Sequence, residues 1–243
     1  MIPLFSDLSS PEFDSFRIAS PDLYNVATRF GQSFEAIGSK FLLPAEERGG
    51  LEVFSHVGLV VARNVLDMRF VDQMFADVNQ QCFYQNDENP ESYYASLDNS
   101  EDPLLEAITT AYSCAIHDFG DVTVGQSSNR YKGENIEPHV DNAAVAPLVL
   151  IGNGPGHLEV GRDAVPHRLV SMNDADKFKI ESGVGNTVKI EYGVSSGDIV
   201  VFDGRNLVHR GCKNMKQISN GSVDGDRFSV VTYANRVYIP SGR

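Results

Sequence analysis

The feature that most constrains the fold is a series of short apolar runs that begins after residue 121. Turn-forming residues separate the runs, as in the glycine-rich segments 153–156, 183–186 and 195–198. Many short strands at close spacing favour a β-sandwich or barrel over a parallel α/β sheet. Strands are predicted at 121–124, 127–131, 146–151, 157–160, 168–171, 187–192, 198–202, 207–210 and 227–234.

The chain before residue 121 shows helical patterns instead. Three helices are predicted, each after a potential N-cap, at Ser20, Asp67 and Asp102. The first continues to about Phe41, and a short strand is predicted at 58–61 between the first two helices. The acidic segment 85–106 is predicted to be a solvated loop followed by the start of the third helix. We therefore expect one domain over 1–243, with a mainly helical support and lid region at 1–120 and a β-core at 121–243.

Charge and composition narrow the classes of function. The 20 Lys and Arg residues face 33 Asp and Glu residues, which gives a net charge of −13. Such a balance argues against a broad phosphate-binding surface, and hence against a nucleic-acid partner. The apolar runs are too short to span a bilayer, no secretory signal is evident, and the three cysteines are widely spaced. We expect a cytoplasmic protein with no membrane partner, and the oligomeric state stays open.

Three residues form a candidate metal site. His139 and Asp141 lie two positions apart, so in a strand both side chains project from one face. His209 follows a Gly-Asp turn and an apolar strand. Two histidines and one carboxylate on one side of a metal form the facial triad of non-haem Fe(II) oxygenases. The alternatives are a surface turn pair at 139–141 and a structural core histidine at 209.

Two further residues form a candidate carboxylate clamp. Arg227 and Ser229 share a strand face, where a guanidinium can hold a carboxylate through two parallel hydrogen bonds and a hydroxyl can add a third. The alternative for Arg227 is a structural ion pair. A metal triad beside such a clamp is what a chelating 2-oxo acid requires. A competing pair, His157 and Glu159, follows a glycine-rich turn and is interpreted as structural.

Together, the motifs His139-x-Asp141, His209 and Arg227-x-Ser229 resemble the Fe(II)/2-oxoglutarate-dependent dioxygenases. The resemblance covers roughly the C-terminal half of the chain. It implies a mainly β fold with a double-stranded β-helix (jelly-roll, cupin-like) core behind an N-terminal helical layer. It also implies that Fe(II) is bound by the two histidines and the aspartate, with 2-oxoglutarate as cosubstrate and O2 as oxidant.

The segment Asn129-Arg-Tyr131-Lys-Gly133 resembles the N-x-Y motif of the AlkB-like branch, whose N-x-Y-x-x-G pattern has its glycine one position later. In that branch the asparagine and the tyrosine help to bind 2-oxoglutarate, which implies the same role for Asn129 and Tyr131. Ser229, however, fits small-molecule oxygenases better than the AlkB repair enzymes. The gap between His209 and Arg227 is also long for this family, so Lys213–Gly225 is interpreted as an inserted loop.

These observations predict an Fe(II)/2-oxoglutarate-dependent oxygenase that hydroxylates or otherwise oxidises a small molecule, such as a natural-product intermediate or an amino-acid derivative. Succinate and CO2 are the expected coproducts. Two alternatives stay open: an AlkB-like dioxygenase or demethylase acting on nucleic-acid bases, and a non-catalytic cupin-like binding module. Residues expected to line the substrate pocket are Tyr93, Tyr94, Arg130 and Arg205.

Overall fold

The computed structural model describes residues 4–55, 58–85, 92–97, 101–131, 141, 147–153, 156–162, 188–193, 195–205, 208–213 and 227–236. The α-helices of this part are α1 (Asp14–Ala19), α2 (Pro21–Gly38), α3 (Met68–Val78) and α4 (Pro103–Ile116). Short 3-10 helices lie at Ser6–Ser9, Pro11–Phe13, Ser39–Phe41, Ala45–Glu47 and His117–Phe119. The strands are β1 (Leu51–Phe54), β2 (Leu59–Ala62), β3 (Tyr84–Gln85), β4 (Ser92–Ser96), β5 (Val122–Tyr131), β6 (Pro147–Asn153), β7 (Gly156–Arg162), β8 (Val188–Gly193), β9 (Ile199–Asp203), β10 (Val208–Lys213) and β11 (Arg227–Arg236).

The strands of the described residues form two antiparallel sheets. The larger sheet has eight strands in the order β1-β2-β9-β6-β11-β5-β4-β3, and the smaller has three in the order β10-β7-β8. Each pairing within them is antiparallel. The expected combination of helices with antiparallel sheets is confirmed.

The N-caps of α3 and α4 follow the prediction, whereas that of α2 does not. The Asp67 carboxylate accepts a hydrogen bond from the Arg69 backbone N–H, and the Asp102 carboxylate accepts two, from the first turn of α4. Ser20 makes no side-chain capping bond, so the predicted cap is wrong there. Its backbone, at φ −139° and ψ 63°, lies outside the extended conformation that Asp67 and Asp102 adopt. Pro21 still occupies the first turn of the helix. A proline is tolerated there because a backbone N–H in the first turn would have no hydrogen-bond partner within the helix.

The helices cover one face of the eight-stranded sheet. Helices α2 and α4 pack against each other, and they contact β6, β9, β5 and β11. Gln126 in β5 donates a hydrogen bond from Nε2 to the carbonyl oxygen of Leu105 in α4, at 3.2 Å. Strand residues that share the apolar cluster of the helices alternate along their strands, and they are Val60, Ala62, Val149, Ile199, Val201, Val230 and Ala234. The main core therefore lies between the helices and this face.

The opposite face of the large sheet points toward the small sheet. Strand residues that alternate with those of the core are also buried, and they include Leu59, Val61, Val200, Phe202 and Ser229. The Phe202 ring meets the ring of His209 in β10 edge to face, with centroids 4.8 Å apart. The described residues thus form a helical layer, a large sheet and a small sheet. His209 lies at the interface between the large and the small sheet.

Several predicted strand bounds differ from the structure. The runs at 121–124 and 127–131 form one continuous strand, β5. Gly125 is not a turn residue there; a Cβ on it would lie 3.1 Å from the ring of Tyr233 on the neighbouring strand, so the glycine leaves room for that ring. The acidic segment after residue 85 contains β4, which pairs with β5, so it is not simply a loop. The predicted strand at 168–171 lies outside the described residues, as does most of the predicted insertion, at 214–225.

In the described part of the chain, none of the helices combines the length and the apolar character that a membrane crossing requires.

Candidate active site

The structure brings Asp141 and His209 together although they are distant in sequence. Oδ2 of Asp141 lies 3.3 Å from Nε2 of His209. The backbone N–H of Asp141 donates a hydrogen bond to the carbonyl oxygen of Gly204, at 2.7 Å. Gly204 directly follows β9, so the end of this central strand fixes the position of Asp141. The His209 side chain is 7% exposed and that of Asp141 is 28% exposed.

The two side chains fit one divalent metal ion. Ligand bonds of about 2.1 Å at right angles place neighbouring ligand atoms about 3 Å apart, which is close to the 3.3 Å observed. An imidazole nitrogen with a carboxylate oxygen is also the donor set that suits Fe(II). Within the described residues no three His, Cys, Asp or Glu side chains converge as a metal site. The third predicted ligand, His139, lies outside those residues.

The ring of His209 is held by its surroundings. The Phe202 ring meets it at an interplanar angle of 76°. In the small sheet the backbone of His209 pairs with that of Val160 in the middle strand, β7. A buried imidazole packed against an aromatic ring loses little rotamer freedom when it binds a ligand, so its Nε2 is already oriented toward Asp141.

The register of the large sheet places the predicted cosubstrate residues on one face. Ser229 in β11 lies directly opposite Asn129 in β5, and Arg227 lies directly opposite Tyr131. Residues two apart on a strand and residues directly opposite on neighbouring strands share a face. Because Ser229 and Phe202 are on the face opposite the helices, these four positions lie on the side of the sheet that faces His209. Ser229 is buried and Asn129 is half-buried.

The predicted lining residues divide between the two faces. Tyr94 lies directly opposite Asn129 and therefore shares its face, while Tyr93 lies opposite Arg130 on the other face. Arg205 is half-buried next to Gly204. Tyr84, directly opposite Tyr94 in β3, extends the same row and was missed, because only the strand register shows that it shares this face.

A separate cavity of about 510 Å³ lies between α4 and the distal ends of β5 and β11. Tyr233, which lines it, is four residues beyond Ser229 along β11, about 13 Å away at the usual strand rise. The cavity therefore does not include the Asp141–His209 pair. Its lining residues are Leu97, Leu105, Glu106, Thr109, Thr110, Thr123, Val124, Gly125, Gln126, Tyr233 and Asn235.

Neither a protein-family model nor a curated protein sequence matches the chain. Solved structures do. HygX from Streptomyces hygroscopicus, solved with nickel, 2-oxoglutarate and hygromycin B, is similar with a TM-score of 0.51 and 11% identity, over 77% of this chain and 86% of HygX. SnoN, a non-heme alpha-ketoglutarate-dependent epimerase from nogalamycin biosynthesis, was solved with Fe3+, alpha-ketoglutarate and nogalamycin RO. That structure gives a TM-score of 0.53 and 13% identity, over 87% of this chain and 88% of SnoN.

This chain has the fold of HygX and SnoN. The resemblance to the Fe(II)/2-oxoglutarate-dependent oxygenases, drawn from the motifs of the C-terminal half, is therefore confirmed at the level of the fold.

Proposed function

We propose that this chain is an Fe(II)- and 2-oxoglutarate-dependent oxygenase that acts on a small molecule. The observation that carries the proposal is the 3.3 Å approach of Asp141 Oδ2 to His209 Nε2, at the interface of the two sheets. The shared fold supports it, because HygX and SnoN were both solved with a metal ion and 2-oxoglutarate or alpha-ketoglutarate. The proposal treats 1–243 as one oxygenase domain with a jelly-roll core.

In this proposal His139, Asp141 and His209 hold the iron. The bound iron supplies the activation of O2, coupled to decarboxylation of the 2-oxo acid to succinate and CO2. Asp141 provides the negative charge that partly neutralises the ion, and the Gly204 carbonyl holds the backbone of Asp141 in place. His209 binds through Nε2, while Phe202 keeps its ring from rotating and excludes water from one side.

The distal carboxylate of the cosubstrate is assigned to Arg227 and Ser229. An arginine suits this role because its guanidinium matches both oxygens of a carboxylate. The Ser229 hydroxyl adds one hydrogen bond from a buried position. Tyr131 and Asn129 lie directly opposite these two residues and complete the carboxylate-binding face. These residues would hold the distal end of the cosubstrate on the face of the sheet toward His209.

The same apparatus allows several outcomes for the primary substrate. Hydroxylation adds one oxygen atom to the product, whereas desaturation removes two hydrogen atoms. Epimerisation leaves the mass unchanged, and it is the reaction named for SnoN. Mass spectrometry of the product, once a panel of amino acids and natural-product intermediates has been screened, separates these outcomes.

Succinate production tests the proposal. Purified protein with Fe(II), 2-oxoglutarate, ascorbate and air should form succinate slowly even without a primary substrate, because ascorbate supplies the two electrons that the substrate would otherwise supply. We expect this production to disappear in Asp141→Ala and in His209→Ala. Equal succinate from wild-type protein and from both variants would show that the pair is not the metal site, and succinate from wild-type protein alone excludes a non-catalytic binding module.

A further inference from the structure

Two exposed tyrosines lie on the face of the large sheet that carries the proposed cosubstrate residues. Tyr84 is 60% exposed and Tyr94 is 46% exposed, although large aromatic residues are usually buried. Their ring centroids are 5.9 Å apart and the rings are tilted by 38°. The pair thus presents an aromatic surface at the edge of the sheet, with roughly half of each residue exposed to solvent.

The strand register connects this surface to the proposed site. Tyr84 lies directly opposite Tyr94, Tyr94 opposite Asn129, and Asn129 opposite Ser229. One row of side chains therefore crosses four strands on the face toward His209. Neighbouring strands are about 4.8 Å apart, so Tyr94 lies about 10 Å from Ser229 along the row. Asn129, a proposed cosubstrate residue, is the side chain between them, so a molecule bound over the tyrosines would lie directly beside the cosubstrate position.

The acidic sequence around Tyr94 limits which molecules can bind over the tyrosines. Segment 85–106, which contains β4, has seven Asp and Glu residues and no Lys or Arg. Close to the tyrosines such a segment repels a negatively charged molecule but not a neutral or positively charged one. The arginine assigned to the cosubstrate carboxylate, Arg227, lies two strands away on β11. The faces of the tyrosine rings are themselves electron-rich and contact flat rings in stacked or edge-to-face geometry.

We propose that Tyr84 and Tyr94 form the substrate-binding wall of the site and that the substrate carries a flat aromatic ring without negative charge. This inference rests on the proposed function, because it takes the ring to be part of the molecule that is oxidised. The alternative role of the pair is structural, as a cross-strand contact that stabilises the β3–β4 hairpin.

Position 93 provides a matched control. Tyr93 is the neighbour of Tyr94 on the same strand, but the register places it opposite Arg130, on the other face of the sheet. A substitution at 93 therefore changes the strand as much as one at 94 and leaves the proposed wall intact. Tyr93→Phe and Tyr94→Leu serve as milder variants if either alanine variant fails to fold.

The test is a binding measurement that needs no turnover. The nine tyrosines are labelled with 3-fluorotyrosine, and the 19F signals of Tyr84 and Tyr94 are assigned from the phenylalanine variants. The probes are 2-naphthol, its saturated analogue trans-2-decalol, and the anion 2-naphthoate. We expect 2-naphthol to shift both signals saturably, with an affinity about 10-fold higher than that of the decalol or the naphthoate. Tyr94→Ala should weaken 2-naphthol binding at least about 5-fold, and Tyr93→Ala should leave it unchanged.

Three results would overturn the inference: no shift of these two signals with 2-naphthol, equal binding of trans-2-decalol, or a Tyr94→Ala variant that only lowers the melting temperature. The failure of the proposed function is separable, because the same samples can be mixed anaerobically with Fe(II) and 2-oxoglutarate. A metal–cosubstrate absorption band without naphthol binding contradicts only the aromatic wall. Naphthol binding without the band contradicts only the oxygenase.

Discussion

At the residue scale, His209 matters most because it is the buried ring whose Nε2 faces Asp141. A second histidine, His117, offers a useful contrast, since its side chain is 65% exposed and pairs with Asp118 on the surface, 2.6 Å away. The two histidines have the same chemistry and different surroundings. Only the first has an aromatic ring at its side and a carboxylate fixed by a backbone hydrogen bond in front of it.

The first prediction concerns metal affinity. His209→Ala removes one of the proposed ligands and should lower the affinity for Mn(II), used as an air-stable substitute for Fe(II), by roughly 100-fold. His117→Ala should leave that affinity unchanged. Electron paramagnetic resonance of free Mn(II) during a titration measures both. Equal Mn(II) affinity in the two variants would show that position 209 is not a ligand.

The second prediction concerns the N-cap of α4. Burial raises the pKa of Asp102 above its usual value, although two backbone N–H groups donate to its carboxylate. When the folded-state pKa is above the unfolded one, the folded state binds the proton more tightly, so this residue's contribution to stability falls as pH rises through the folded pKa. Asp102→Asn keeps an acceptor for the cap and removes the charge. We therefore expect the free energy of unfolding of Asp102→Asn, relative to wild type, to increase as pH rises from about 4, the usual pKa of an aspartate, through the raised pKa of folded Asp102.

Urea denaturation at a series of pH values measures this difference. Asp102→Ala is the control, because it removes the cap itself and should cost about 1 kcal/mol. If the free energy of unfolding of Asp102→Asn relative to wild type instead decreased as pH rises, the pKa of Asp102 would not be raised in the folded state.

The residue scale also shows what sequence can predict. Asp67 and Asp102 were predicted as caps and are caps, because their backbones are extended. Serine is also favoured at N-caps, but Ser20 is at the same time the last residue of the turn that ends α1, and its backbone does not adopt the extended capping conformation. The preference for an N-cap position is a property of the residue type. The backbone angles at that position depend also on the preceding segment of the chain.

At the scale of elements, the start of β9 is fixed by one buried carboxylate. Asp198 is 1% exposed and accepts hydrogen bonds from the backbone N–H groups of Asn64 and Ser195 and from Arg63. These bonds join the end of β2 to the turn before β9. Because β9 ends at the residue before Gly204, the same strand carries this anchor at one end and the position of Asp141 at the other.

The third prediction follows from that anchor. Asp198→Ala leaves two backbone N–H groups and one guanidinium without this acceptor and should lower the free energy of unfolding by about 3 kcal/mol. Glu52 contacts the same Arg63 from a side chain that is 45% exposed. Glu52→Ala should cost less than about 1 kcal/mol, since an exposed ion pair is screened by solvent. Chemical denaturation measures both, and equal losses would contradict the role given to Asp198.

Helices and turns whose local sequence pattern determines them were predicted well. Strands that depend on pairing with a distant strand were predicted poorly. The apolar periods of α3 and α4 correspond to the observed helices, and the Gly-Asp turn before β9 is present. The prediction left a gap at 125–126 in a strand that is continuous. The glycine in that gap leaves room for the ring of Tyr233 on the neighbouring strand, which the sequence does not show. β4 was hidden in an acidic segment, since what makes it a strand is its hydrogen bonding to β5.

At the scale of the whole molecule, the acidic and basic residues are distributed unevenly along the chain. The net charge is −13, yet bases outnumber acids over residues 205–243, the segment that contains His209 and Arg227. The motif spacing predicted which residues belong to one site. It could not predict that His209 packs against the face of the large sheet opposite the helices, because that depends on which face the helices cover.

The fourth prediction concerns nucleic acid, the main alternative substrate. A protein with this net charge should bind short single-stranded or double-stranded DNA and RNA no tighter than about 100 µM at 150 mM salt. Fluorescence anisotropy with labelled oligonucleotides at two salt concentrations measures this. Micromolar binding that weakens steeply with salt would favour the AlkB-like alternative over a small-molecule substrate.

The most direct test of the central claim is the absorbance of the protein mixed anaerobically with Fe(II) and 2-oxoglutarate. If Asp141 and His209 hold the iron and the cosubstrate chelates it, a weak visible charge-transfer band should appear in wild-type protein and in His117→Ala. The band should be absent from His209→Ala. No band in wild-type protein, or a band of full intensity in His209→Ala, would contradict the account.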